Sequence, residues 1–150
     1  MHKSRFAFIA LADVGIIATF LPWEKISVLG VASTKTGIDI TESILGTSGV
    51  GWVSLVLFAL VPLISFTGKR AAPILAAKKW GIVIVGLLTA IIGIHTYLDV
   101  RQKAVINPLE SGGLSFESAP GIGLYMVIVA AIGLIVMALV SKGRDVQNPS

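Results

Sequence analysis

The sequence predicts an all-α membrane protein, a four-helix transmembrane bundle with a small extracytoplasmic cap in which short β-strands are expected. Of the 150 residues, 55% are hydrophobic and 13% are charged, whereas soluble proteins are about 25% charged. Four apolar runs satisfy the roughly 20 residues that a helix needs to cross a bilayer. The runs lie at 6–22, 50–67, 80–98 and 121–140. Aromatic residues lie near the run boundaries, where they anchor helices at the membrane surface: Trp23, Trp52, Trp80 and Tyr97.

Proline and glycine mark the ends of these runs. Both residue types interrupt regular helix, and they lie at or beside a boundary of each run: Pro22, Gly68, Gly81 and Pro120. The first run follows a basic start, as in a signal peptide. Its length of about 17 apolar residues exceeds the usual ~7–15, and no cleavage site follows closely. We therefore expect it to be retained, and residues 1–150 to form a single integral membrane domain.

The composition excludes several classes of function. The chain contains no cysteine, which excludes disulfides and thiolate metal sites. The formal net charge is +4, but Lys and Arg occur in small groups between apolar runs, whereas nucleic-acid binding needs a clustered basic face. No complete catalytic or cofactor signature is present. We therefore predict a non-enzymatic protein in contact with the lipid bilayer, with no cofactor, no metal and no nucleic-acid partner.

The basic residues also predict the orientation of the chain, because they favour the cytoplasmic side of short loops. Eight of the twelve Lys and Arg residues lie before the first run, between the second and third runs, or after the fourth. The other four share their segments with six acids. We expect an inner loop at 68–79, outer segments at 23–49 and 99–119, and a multi-pass protein of the cell (inner) membrane with both termini cytoplasmic.

The first outer segment is expected to contain a hairpin and a short helix. Residues 25–28 alternate between polar and apolar side chains, and a second extended stretch follows Thr34; this pattern is typical of paired strands. Asp39 followed by Glu42 has the form of a capping box, and Gly46 is placed as a helix stop.

The second outer segment is expected to be irregular, with one strand edge. Pro108, Gly112 and Gly113 interrupt it, and GLSFES supplies the strand. Both outer segments contain enough apolar side chains to form a buried contact. We therefore expect them to pack on each other, with some strand pairing, as a compact outer cap.

Three short stretches resemble a class of known proteins. LPW at 21–23, GW at 51–52 and GIGLY at 121–125 resemble a loose class of small bacterial four-span membrane proteins of unassigned function. This resemblance covers most of the chain and implies a bacterial membrane protein. The layout, with a long first outer loop, a short inner loop and both ends inside, is also similar to claudin-type tetraspans, whose outer loops form a small sheet.

A second resemblance is local. LADVGIIAT at 11–19 is similar to the first span of small multidrug resistance transporters. In that family a mid-span acid, followed closely by valine and glycine, shuttles protons against cationic drugs, and Asp13 stands at the position of that acid. The resemblance covers about a tenth of the chain and implies a small proton-coupled transporter.

Asp13 is the first candidate site residue. It lies eight residues after Arg5, which is about 12 Å along a helix at ~1.5 Å per residue, near the bilayer centre. An ionised carboxylate there is costly, so the group should be neutral, paired or facing a wet cavity. Two interpretations stay open. Asp13 is hydrogen-bonded to Thr89 or to a backbone carbonyl and so holds helices together, or it carries protons or contacts a ligand.

A polar cluster is expected at the outer boundary of the third run. His95 and Asp99 are four residues apart, so both side chains can face one side of a helix, with Tyr97 close by. One histidine without a second ligand is poor support for a metal site. The simpler interpretation is a histidine that forms hydrogen bonds at the membrane surface.

Small residues on the third and fourth runs predict close helix packing. Gly86, Ala90 and Gly93 fall on one helical face, and Ala130 and Gly133 form a second patch. Packing inside the bundle and self-association into a homo-oligomer both explain such patches.

These observations support two main hypotheses for function. The first is an interaction or scaffold protein, an accessory subunit or an immunity-type protector, which contacts another membrane or extracytoplasmic protein through its outer cap. The second is a proton-coupled transporter that works as an oligomer around Asp13. A third, an intramembrane hydrolase, would use GTSG at 46–49 with His95, although a loop entering the second run explains that motif more simply.

Overall fold

The computed structural model describes residues 3–28, 31–40, 49–67, 76–110 and 116–141. Within these residues, four helices pack side by side and three strands form an antiparallel sheet at one end of them. The elements, in chain order, are α1 (Lys3–Phe20), β1 (Pro22–Val28), β2 (Val31–Thr36), α2 (Val50–Phe66), α3 (Ala76–Glu110), β3 (Phe116–Pro120) and α4 (Ile122–Val140).

Among the described residues, two helices are long and apolar enough to cross a membrane. They are the 27 residues Ala77–Lys103 of α3 and the 19 residues of α4. α2 has 17 residues, about 25 Å at ~1.5 Å per residue, which falls short of a hydrocarbon core of about 30 Å. α1 has 18 residues, but three of them are charged: Lys3, Arg5 and Asp13. The predicted four-span bundle is therefore wrong, since the fold has two candidate spans together with a three-stranded sheet.

Each helix runs antiparallel to the helices against which it packs. α1 and α3 each contact both α2 and α4. Leu11 of α1 lies against Gly133 in the middle of α4, while Ala18, near the end of α1, lies against Gly123 at the start of α4. Glycine at positions 123 and 133 therefore lets the first and last helices approach closely along their whole length.

The sheet joins the two predicted outer segments. Its strand order is β2-β1-β3, and both pairings are antiparallel. In the central strand, Ile26 pairs with Ser33 of β2 and with Ser118 of β3, so the expected strand pairing between the two segments is present. β1 starts just after α1 and β3 ends just before α4, which places the sheet at the end of the helices where α1 ends and α4 begins.

Helix α3 is longer than the sequence predicts. The apolar run was expected to end at residue 98, yet the helix continues to Glu110, past Pro108. Val100, in this extension, is buried, and α3 packs against β3. The irregular segment predicted from residue 99 is therefore helical in its first part. The predicted short helix after Asp39 and most of the GTSG motif fall within 41–48, outside the described residues.

Trp23 fills the junction between the sheet and the helices. Its side chain is fully buried, packs against Gly37 and Gly123, and donates a hydrogen bond from Nε1 to the carbonyl of Ala18 at 2.8 Å. The expectation that Trp23 anchors at the membrane surface is therefore wrong. Trp52 and Trp80, by contrast, are 54% and 63% exposed. The buried indole ties the end of α1 to both the turn after β2 and the start of α4.

The start of α2 is attached to the same turn after β2 through backbone contacts. Gly51 donates its N–H to the carbonyl of Gly37 at 3.1 Å, and a side chain at Gly51 would overlap the backbone of Gly37 and Ile38. Gly49, just before α2, has φ of 110°, a left-handed conformation that glycine adopts without steric cost. Glycine is therefore required where the chain turns from the sheet into α2.

Candidate functional site

The outward faces of the helices are strongly apolar. Large hydrophobic side chains are exposed on all four helices, among them Phe6, Ile17, Leu63, Ile91, Val129 and Leu139. Soluble monomers rarely expose contiguous apolar patches larger than a few hundred Å². This surface favours contact with lipid, in agreement with the two candidate spans of α3 and α4.

Asp13 interrupts this apolar surface. It is exposed, and the other exposed positions between residues 6 and 20 of α1 are all apolar: Phe6, Val14, Ile17 and Phe20. Leu11, two residues earlier, lies against Gly133 near the middle of α4. Asp13 is therefore level with the middle of a candidate membrane span, and its carboxylate points away from the space between the helices.

The structure does not bring Asp13 together with Thr89. The Thr89 side chain is fully buried and donates from Oγ1 to the carbonyl of Val85, one turn earlier in α3, at 2.8 Å. Among the described residues, no hydrogen bond or ion pair reaches the Asp13 carboxylate. Thr89 is thus satisfied within its own helix, and Asp13 is left on the outer surface of α1.

The polar cluster at the sheet end of α3 divides into two contacts. His95 Nδ1 lies 3.2 Å from Asp99 Oδ2, and both side chains are substantially exposed. Tyr97 lies apart from this pair; it makes an edge-on contact with Tyr125 of α4 at 5.9 Å between ring centroids, and the Arg101 guanidinium lies 5.8 Å from its ring centre. No group of three or more potential metal-ligating residues is found among the described residues.

The rows of small residues lie inside the molecule. Gly86 lies against Ile135 and Gly93 against Ile128, so this face of α3 packs on α4. The other members of the two patches are Ala90 and Ala130, which are buried, and Gly133, which faces α1. Both patches therefore serve packing between helices of one chain, and neither patch lies on the outer surface where a second copy could contact it.

Basic side chains cap helix ends opposite the sheet, a feature that the sequence interpretation missed. The last carbonyls of a helix lack partners within the helix, and cations there also complement the helix dipole. In the described part of the chain, three basic side chains donate to such carbonyls: Arg5 to Ser65 at 2.7 Å, Lys78 to Thr67 at 2.9 Å and Lys79 to Ser141. In the sequence these residues indicated only orientation, because the carbonyls that they cap belong to distant segments.

The sheet has a buried acid and an exposed edge. Glu24 of β1 is buried and accepts a hydrogen bond from Ser118 Oγ of β3 at 2.8 Å, which fastens the central strand to one neighbour. On the other side of the sheet, β2 pairs with β1 along one edge, and the first five of its six residues are exposed. No other described strand pairs with the outer edge of β2.

A side-chain bridge closes the turn after β2. Thr36 donates to Asp39 Oδ2 through its hydroxyl at 2.6 Å and through its backbone N–H at 3.3 Å. Both hydrogen bonds hold the pKa of Asp39 below its ordinary value of 3.8, and the bond from the hydroxyl has the larger effect. The ionised form of Asp39 is therefore the one that stabilises this turn.

Comparison with known proteins finds no protein-family model that matches this chain, and no curated protein matches it. The resemblances to small bacterial membrane proteins, to claudin-type tetraspans and to small multidrug resistance transporters therefore stay predictions.

Proposed function

We propose that this is a non-enzymatic membrane protein that binds a partner protein through the outer edge of its sheet. The observation that supports this proposal is the exposure of β2: five of its six residues are exposed, and its outer edge meets no other described strand. An unpaired strand edge presents a row of N–H and C=O groups, to which an extended segment of another protein can add as a further strand.

The chemistry of β2 supports a specific kind of partner. Proteins that avoid strand addition often protect an edge with proline, charged side chains such as lysine, or a bulge. β2 has the sequence VASTKT, with no proline and with Lys35 as its one charged residue. The proposed partner therefore contributes an extended, mostly uncharged segment with an acidic residue positioned opposite Lys35, because opposite charges across strands stabilise pairing.

The two candidate spans give the sheet its proposed location. α3 and α4 anchor the chain in the bilayer, and the sheet lies at one end of both helices. Lys78 and Lys79 lie at the other end, and basic residues favour the cytoplasmic side. We propose that the sheet is extracytoplasmic and that the end of α4 faces the cytoplasm of a bacterial cell.

Single cysteines test this orientation. Ser33 is exposed on β2 and Thr67 is exposed just beyond the end of α2, at the opposite end of the helices. In intact cells Ser33→Cys should react with a membrane-impermeant maleimide, and Thr67→Cys should react only after the membrane is permeabilised. The reverse pattern would place the sheet in the cytoplasm and remove this part of the proposal.

Site-specific photo-crosslinking tests the edge itself. A photoreactive amino acid replaces Ser33 on β2 or, as a matched control, Glu117, which is exposed on β3. We expect a protein adduct at position 33 and much less adduct at position 117, and Lys35→Glu should reduce the adduct at position 33. The proposal fails if adduct yields at the two positions are equal, or if Lys35→Glu leaves the yield unchanged.

A further inference from the structure

The position of Asp13 favours a partner outside the described part of this chain, an inference that rests on the proposed anchoring in the bilayer of α4, against which α1 packs. The carboxylate is exposed on α1 among apolar side chains, level with the middle of α4. Polar groups at that depth of a bilayer are costly unless they are paired or hydrated. Since Asp13 points away from the neighbouring helices, any group that compensates this cost approaches α1 from outside.

A second copy of the chain does not offer a complementary charge at this depth. The basic side chains that the structure describes all lie toward one end of the helices or the other. Those opposite the sheet are Arg5, Lys78 and Lys79, and those at the sheet end are Lys25, Lys35, Arg101 and Lys103. In two copies that share a membrane, Asp13 lies at the same depth in both, whether the copies are parallel or antiparallel. A second copy therefore brings its own Asp13 to this depth, and not a basic side chain.

We propose that the outer face of α1 docks a membrane helix of a different protein, and that this helix carries a lysine or arginine near its midpoint. Charge complementarity selects this occupant: Asp13 supplies the acid, and Val14 and Ile17, exposed beside it, supply apolar contact on the same side. In lipid, such an ion pair is held within a dry interface and fixes the relative depth of the two helices. This surface is separate from the edge of β2, so either proposal can fail alone.

The test measures association between the full-length protein and a synthetic helix in liposomes by energy transfer. The probe is a leucine- and alanine-rich membrane helix with one central lysine, and its matched form has leucine at that position. We expect the lysine helix to associate roughly threefold to tenfold more strongly than the leucine helix, the range that single polar contacts give in membranes. Asp13→Asn and Asp13→Leu should abolish the preference.

Asp39→Asn is the matched control, because it removes the same charge from the exposed turn after β2. It should keep the preference for the lysine helix. Equal association of both helices with the wild-type protein overturns the proposal without any variant being needed. The proposal is also overturned if energy transfer between two wild-type copies is lost in Asp13→Leu while the lysine helix is not recruited, since a second copy would then cover this face.

Discussion

Replacing Trp23 with phenylalanine should destabilise the protein by a predictable amount. The change removes the hydrogen bond from Nε1 to Ala18. Because the N–H of Leu21 also donates to that carbonyl, at 3.3 Å, the loss should be an ordinary ~0.5–1.5 kcal/mol and not the full cost of an orphaned acceptor. The smaller ring leaves a residual cavity of about 40 Å³, which adds about 1 kcal/mol at ~24 cal/mol per Å³. The expected total is about 1.5–2.5 kcal/mol.

The assay is reversible unfolding in detergent micelles, followed by far-UV circular dichroism because the substitution alters fluorescence. Trp52→Phe is the matched control, since Trp52 is 54% exposed and its replacement should cost less than about 0.5 kcal/mol. Trp23→Ala should cost about 3–5 kcal/mol, in the range for large buried aromatic residues. Equal destabilisation by Trp23→Phe and Trp52→Phe would show that Trp23 does not join the sheet to the helices.

Three further substitutions test contacts in and around the sheet. Gly51→Ala places a methyl group onto the carbonyl of the turn after β2 and should cost about 1–3 kcal/mol of stability. Gly81→Ala is its control: the added methyl group would lie 3.8 Å from the nearest neighbouring atom, so the melting temperature should stay unchanged or rise. Ser118→Ala removes the hydroxyl donor to the buried carboxylate of β1 and should cost about 1–3 kcal/mol in chemical unfolding. Thr36→Val should raise the pKa of Asp39 toward 3.8 in an NMR titration. In the wild type, the stability that this carboxylate contributes is fully present above pH 3.8 and is lost as the pH falls through the lowered pKa of Asp39.

Helix positions were largely predictable from apolar runs, and helix ends less so. α2 and α4 begin and end within about a residue of the predicted runs, because glycine and proline flank apolar residues there. α3 continues beyond residue 98 because Arg101 and its neighbours form helix as readily as apolar residues do. The hydropathy of a segment measures how apolar it is and not how readily it forms a helix, so the apolar run ends before the helix does. The count of spans failed because α2 has only 17 residues and because the 18 residues of α1 include Lys3, Arg5 and Asp13.

The environment of single side chains was much less predictable. Trp23 at the end of an apolar run fits a membrane anchor and a core residue equally well, and the glycines that make room for it lie in distant segments. The same limitation applies to Arg5, which caps α2, and to Glu24, which bonds β3. For Asp13, the sequence predicted a depth in the membrane, but the side of α1 that it faces depends on which residues pack against α4. The transporter hypothesis for Asp13 stays a prediction.

The central strand of the sheet has one partner that is close in sequence and one that is far away. β2 follows β1 almost at once, whereas Ser118 lies 94 residues after Glu24. At a synthesis rate of about 5–20 residues per second, the ribosome delivers β3 roughly 5–20 s after β1. During that interval β1 has an open edge that the mature protein covers. Chains that stall or terminate before residue 116 keep this edge permanently, so we expect them to aggregate by strand addition through β1, in addition to the β2 edge that finished chains also expose.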